Sequence, residues 1–203
     1  EAFNAYSSIV YIFAAALAYR RVMEKGKHME LMVIPCMMLA TMGAGSFIFH
    51  ITMRCSNEMI LDEAPTFLFC ASLLAWKVES MCRARKMNAL PWHALTFGYV
   101  LLVISADVLF GKHDLYLYGS ALLGLVEAAL SVHLGKYGQG IYAIKFAASL
   151  LVAIVLLNTD ETYRAIMPSV WILHPCWHVA TCYALYNLIL FNASLASVGI
   201  KSC

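Results

Sequence analysis

The chain has 203 residues, of which 62% are hydrophobic and only 13% charged, 14 Lys and Arg against 12 Asp and Glu. A soluble domain carries about 25% charged and roughly 45–50% apolar residues, so this composition, with its mean hydropathy of +0.74, excludes a soluble enzyme and a disordered tail. The net charge of +2, with Lys and Arg scattered in small groups, excludes a nucleic-acid binder.

The class that remains is an all-α, polytopic membrane protein. A spanning helix takes about 20 residues, so seven of them with short loops fill the chain as a single domain. The first apolar stretch, 2–19, ends at Arg20, Arg21, Glu24, Lys25 and Lys27. The second, 31–53, is uncharged apart from His50 and ends at Arg54. Asp62 and Glu63 open the third, 62–79, which closes at Lys77 and Glu79 before the basic cluster Arg83, Arg85, Lys86. Spans four to six are read at 89–110, 115–132 and 141–158, and the seventh at 169–191. Glu127 and Lys145 lie inside or near the fifth and sixth. The run Leu150-Leu151-Val152-Ala153-Ile154-Val155-Leu156-Leu157 does not alternate, which argues against a β-barrel.

Charge asymmetry orients the expected bundle. The segments after spans 1, 3 and 5 and the C-terminal tail hold 11 of the 14 basic residues, and Arg54, Lys112 and Arg164 lie on the other side. By the positive-inside rule the C-terminus is cytosolic and the N-terminus lumenal or extracellular. The first residue is Glu1, so the natural N-terminus is expected upstream, and the first helix is expected to insert and stay.

Ionisable residues within spans are functional candidates by default. Here span 2 ends in Gly43-Ala44-Gly45-Ser46-Phe47-Ile48-Phe49-His50, span 3 begins with Asp62-Glu63-Ala64-Pro65, and span 7 begins near His174-Pro175-Cys176-Trp177-His178. Topology puts all three at the lumenal ends of their helices. His174 and His178, spaced i,i+4, share one helix face at roughly 5–6 Å between Cβ atoms, which suits two imidazoles on one Zn²⁺. A catalytic zinc has three protein ligands, and His50 would be the third. Ser46, four residues before His50, faces the same way, and Asp62 supplies a carboxylate, either as general base or as the orienter of a ligand. A plainer reading makes His50 an interfacial imidazole bonded to a backbone carbonyl and makes Gly43, Gly45 and Ser46 small residues for close helix packing. Glu63 reads as an interfacial acid, and His28, His93, His113 and His133 as solvated or interfacial without partners.

The seven cysteines contain no C-x-x-C pair, so a thiolate zinc cluster is disfavoured. A Cys55–Cys176 disulfide is a minor alternative. Cys176 would point away from both span-7 histidines.

The three segments Gly43-x-Gly45-Ser46-x-x-Phe49-His50-x-Thr52-Met53, Asp62-Glu63-x-Pro65 and His174-x-x-Trp177-His178 resemble the alkaline ceramidase family. That family belongs to a wider group of seven-helix membrane hydrolases that includes GPI-lipid remodelling proteins and progestin/adiponectin receptors. The resemblance runs from Glu1 to about residue 190. It implies zinc on His50, His174 and His178, catalytic roles for Ser46 and Asp62, a ceramide-type lipid substrate among membrane lipids, no obligate protein partner, and an endoplasmic reticulum or Golgi membrane. It also implies calcium, for which Glu1 would be a ligand, the family's other calcium ligands lying upstream. The stretch between His50 and Asp62 is one residue longer than the family pattern. Within the loop around Ser56-Asn57 the extra residue leaves Asp62 in place, whereas within a helix it would turn Asp62 by about 100°. The implied activity is zinc-dependent cleavage of the ceramide amide to a sphingoid base and a fatty acid. The alternatives are a related lipid hydrolase acting on GPI-linked or other lipids, and a non-enzymatic seven-helix receptor.

Overall fold

A computed structural model describes residues 2–25, 29, 32–52, 60–110, 115, 119–120, 122–124, 126–127, 140–163 and 172–199. The chain is all-helical, with no strand among the described residues. The continuous helices are α1 (Ala2–Met23), α2 (Val33–Thr52), α3 (Ile60–Ala84), α4 (Leu90–Phe110), α5 (Gly140–Tyr163) and α6 (Leu173–Gly199). The described residues of the fifth expected span, between α4 and α5, are also helical.

Four helices, α1, α2, α4 and α5, are long and apolar enough to cross a membrane. Their apolar residues face outward as well as inward. Phe13 on α1, Leu109 on α4 and Leu151 and Val155 on α5 are all more than half exposed. Water would not tolerate such a sheath, and lipid requires it. Polar side chains on these outer faces turn back to their own helix: the hydroxyls of Thr96, Ser149 and Thr159 donate to the carbonyls of Trp92, Lys145 and Val155.

The core has two parts. In the larger, Tyr11 and Ala15 of α1, Leu39 and Met42 of α2, Phe69, Leu73 and Trp76 of α3 and Leu185 and Ile189 of α6 pack together. In the smaller, Phe67 and Leu74 of α3 meet Val103 of α4 and Leu123 of the fifth segment. Helix α1 lies against α2 and α6, α2 against α3, and α5 against α6.

Two basic residues read as loop markers lie elsewhere. Helix α3 continues to Ala84, and Lys77 is a buried interior residue at 1% exposure. Its ammonium donates to Glu127 Oε1 at 2.5 Å, and Asn192 Nδ2 donates to the same carboxylate oxygen at 2.8 Å. Lys145 lies within α5, exposed on its surface. His93, expected to have no partner, holds Glu79, Nε2 to Oε2 at 2.8 Å, and Arg83 Nε donates to the other oxygen of that carboxylate at 2.6 Å.

Candidate functional site

The small residues of the α2 motif set how closely three helices approach. A Cβ on Gly43 would come within 2.8 Å of the Ser8 carbonyl oxygen and 2.9 Å of Tyr11 Cβ on α1. A Cβ on Gly45 would collide with the Leu61 carbonyl of α3. That carbonyl is the one whose helical partner would be the N–H of residue 65, and residue 65 is proline. Pro65 therefore leaves the Leu61 carbonyl without its intrahelical donor, and Gly45 gives it room. Gly43 and Gly45 thus pack α2 between α1 and α3, as the plainer reading held, and in doing so they aim Ser46 and His50 at the space those helices enclose.

The starts of α1, α3 and α6 and the ends of α2 and α5 meet at one end of the bundle. Ser46 and His50 come from the last turns of α2, Asp62 from the first turn of α3, and His174 and His178 from the first two turns of α6. Five of the six residues singled out in the sequence therefore meet in one place. The sixth, Glu1, lies outside the described residues, as does Cys55.

The ring centroids are 5.0 Å apart for His50–His174, 5.3 Å for His50–His178 and 4.7 Å for His174–His178. One ring nitrogen from each lies within 4.8 Å of the other two, and His50 and His178 are buried. His174 Nε2 is 3.3 Å from His50 Nε2. Two nitrogens bound tetrahedrally at about 2.0–2.1 Å lie roughly 3.3–3.4 Å apart, so this spacing fits zinc. His178 Nε2 is buried and has no hydrogen-bond partner among the described residues. A buried ring nitrogen without a partner is costly, and a metal beside the other two imidazoles would satisfy it. Trp177 lies against both span-7 histidines, at 5.0 and 4.9 Å between centroids. Cys176 is exposed and takes no part.

The other nitrogens of two of these rings are held from behind. His178 Nδ1 is 2.7 Å from Ser7 Oγ and 3.3 Å from Ser8 Oγ on α1. Ser7 donates its own proton to the Asn4 carbonyl at 2.8 Å, so its oxygen accepts from His178. That fixes the proton on Nδ1 and the lone pair on Nε2. His174 Nδ1 is 3.2 Å from Asp160 Oδ2, and Asp160 is 1% exposed. Ser7, Ser8 and Asp160 were not singled out in the sequence: two serines in an apolar helix carry no metal-ligand spacing, and Asp160 lies just past the sixth apolar run, 141–158. Only the i,i+1 serine pair near the start of α1, at the depth of the histidines, could have signalled them.

Ser8 donates to Ser46 Oγ at 2.9 Å. Ser46 in turn donates to the Asp62 carboxyl, which also lies close to His50. Asp62 thus sits on the site, which is the outcome expected if the extra residue before it falls between α2 and α3. An open apolar groove of about 560 Å³ runs along α5 and α6, lined by Ala148, Val152, Cys176, Val179 and Ala180 and by Ser7, the residue that holds His178.

A search of curated proteins returns no match for this chain. A family model described as Ceramidase matches residues 1–201, nearly the whole length, and carries with it a hydrolase activity on ceramide-type lipids. With three convergent histidines at one end of an apolar helical bundle, the chain belongs to the ceramidase family.

Proposed function

We propose that the protein is a zinc-dependent amide hydrolase that cleaves ceramide to a sphingoid base and a fatty acid. The observation that carries this reading is His178 Nε2, buried beside His50 and His174 with its opposite nitrogen already bonded to Ser7. His50, His174 and His178 would hold the zinc. When bound, zinc supplies Lewis acidity to a carbonyl oxygen and to water.

The remaining steps fall to the side chains. Asp62 takes a proton from the attacking water and delivers it to the leaving amine nitrogen as the C–N bond breaks. Ser46 accepts from Ser8 and points its own O–H at Asp62, and as Asp62 takes up the water's proton that O–H turns to the substrate oxygen, where negative charge develops. The apolar groove, which Ser7 helps to line, suits an acyl chain arriving laterally from the bilayer, with its polar amide towards Ser7, the residue bonded to His178. Charge asymmetry supports seven spans with the site at the lumenal rim and the C-terminus in the cytosol.

Purified protein is tested for zinc by elemental analysis and for release of fatty acid from ceramide. Wild type is expected to hold one zinc per chain and to hydrolyse ceramide. His178→Ala is expected to lose the metal, and Asp62→Asn to keep it and lose turnover by a factor of at least about 10². Full ceramide hydrolysis by Asp62→Asn would overturn the assigned roles, and hydrolysis of a GPI-linked lipid in place of ceramide would overturn the substrate.

A further inference from the structure

Asp160 lies near the end of α5, fourteen residues before His174 and on a different helix. Its carboxylate Oδ2 is 3.2 Å from His174 Nδ1, while Nε2 of the same ring is 3.3 Å from His50. The imidazole is therefore gripped across its width, with a carboxylate behind and the three-histidine centre in front. We propose that Asp160 is the positioning residue of the metal centre, accepting the Nδ1–H of His174 and so fixing the tautomer and ring orientation that turn Nε2 to the metal. The inference rests on the zinc reading of the site.

Two physical arguments support it. A neutral imidazole has one N–H and one lone pair, and which nitrogen carries which is set by the bond the other makes. A carboxylate accepts only, so it forces the proton to Nδ1. A hydrogen bond to a charged acceptor is shorter and stronger than one to a neutral hydroxyl. His174, which is only partly buried, thus receives the stronger hold, and fully buried His178 is held by the Ser7 hydroxyl.

The second argument is charge. Three neutral imidazoles do nothing to offset a divalent cation. Asp62 and Asp160, arriving from α3 and α5, bring two carboxyl groups to the same end of the bundle, whose ionised forms supply the two negative charges a divalent cation calls for. A dication among them gives a neutral cluster, and buried charge in an apolar bundle is tolerated where it is compensated. With Asp62 facing Ser46 and the reacting groups, the carboxylate that orients a ligand is Asp160.

The test measures zinc affinity in detergent-solubilised full-length protein by competition with a chelator of known affinity. Asp160→Asn, which keeps the shape and removes the charge, is expected to bind zinc 10–100-fold more weakly than wild type. Asp160→Glu is expected to recover part of that loss. In the His174→Ala background, Asp160→Asn is expected to cost nothing further, because the residue acts through His174. Should Asp160→Asn fail to accumulate as a folded monodisperse species, Asp160→Ser carries the same test with the same direction. Wild-type affinity in a folded Asp160→Asn protein would overturn the proposal while leaving the zinc reading intact. So would a loss that adds in full to that of His174→Ala. Absence of zinc from wild type would overturn both.

Discussion

The Ser7 hydroxyl stands 2.7 Å from Nδ1 of His178, across the interface between the first and last described helices. The contact joins a residue of the first helix to a candidate metal ligand 171 positions away. It also sets chemistry, because the Asn4 carbonyl takes the serine's proton and leaves the oxygen to accept from the imidazole. Ser8 stands 3.3 Å from the same nitrogen and is in reserve.

Ser7→Ala alone should therefore weaken zinc binding modestly, by about threefold, since Ser8 can move in to accept. Ser7→Ala with Ser8→Ala leaves His178 Nδ1 without an acceptor and should cost 10–100-fold in zinc affinity. Competition titration of the single and double variants decides this. Equal affinities across wild type and the double variant would show that the serines pack without orienting.

Much of this site was legible before any coordinates, and the reason is geometric. His174 and His178 lie on one face because i,i+4 residues always do on a helix, and Ser46 and His50 obey the same rule. Alternating spans then bring the end of α2, the start of α3 and the start of α6 to one side. Asp160, Ser7 and Ser8 escaped because their roles depend on which neighbour a side chain meets, and neither periodicity nor charge placement reports that. Lys77 misled for a related reason. A lysine before a basic cluster reads as a loop marker, yet a buried carboxylate from the fifth segment holds it inside the bundle. Charge counting sees the lysine but cannot see Glu127 facing it.

Gly45→Ala should be among the most damaging single substitutions, because the added methyl meets a backbone carbonyl, which cannot rotate away. Separating α2 from α3 would move Ser46 and His50 relative to Asp62, so folded yield and ceramide hydrolysis should fall together. Gly98 on α4 is the control: a Cβ there meets nothing within 4 Å. Gly98→Ala should be neutral or stabilising by about 0.5–1 kcal/mol, the helical penalty of glycine relative to alanine. Thermal melting in one detergent, with activity measured alongside, compares the two.

Metal removal should loosen the bundle as well as stop turnover, because the three histidines come from α2 and α6. At free zinc about 100 times its dissociation constant, binding contributes about 2.7 kcal/mol to stability. For a chain of this size that corresponds to a fall in Tm on the order of 5–10 °C after chelation, restored by added zinc. His178→Ala should melt at one temperature whether or not chelator is present. A chelator-dependent shift in that variant would mean that zinc stabilises the protein from somewhere else.

The Lys77–Glu127 pair tests whether buried charge in this bundle serves the fold or the chemistry. Lys77 lies fifteen residues along α3 from Asp62, about 22 Å at 1.5 Å per residue, too far for a role at the histidines. Lys77→Met strands the Glu127 carboxylate in an apolar interior and should destabilise by about 3–5 kcal/mol. Lys77→Met with Glu127→Gln removes both charges and leaves an amide oxygen to accept from Asn192, which now donates to Glu127 at 2.8 Å. The double variant should recover most of the stability lost by the single one. Its folded fraction should hydrolyse ceramide with wild-type kcat and bind zinc with wild-type affinity. A folded double variant with intact zinc and lost turnover would instead make the pair part of the catalytic apparatus, coupled to Asp62 through α3.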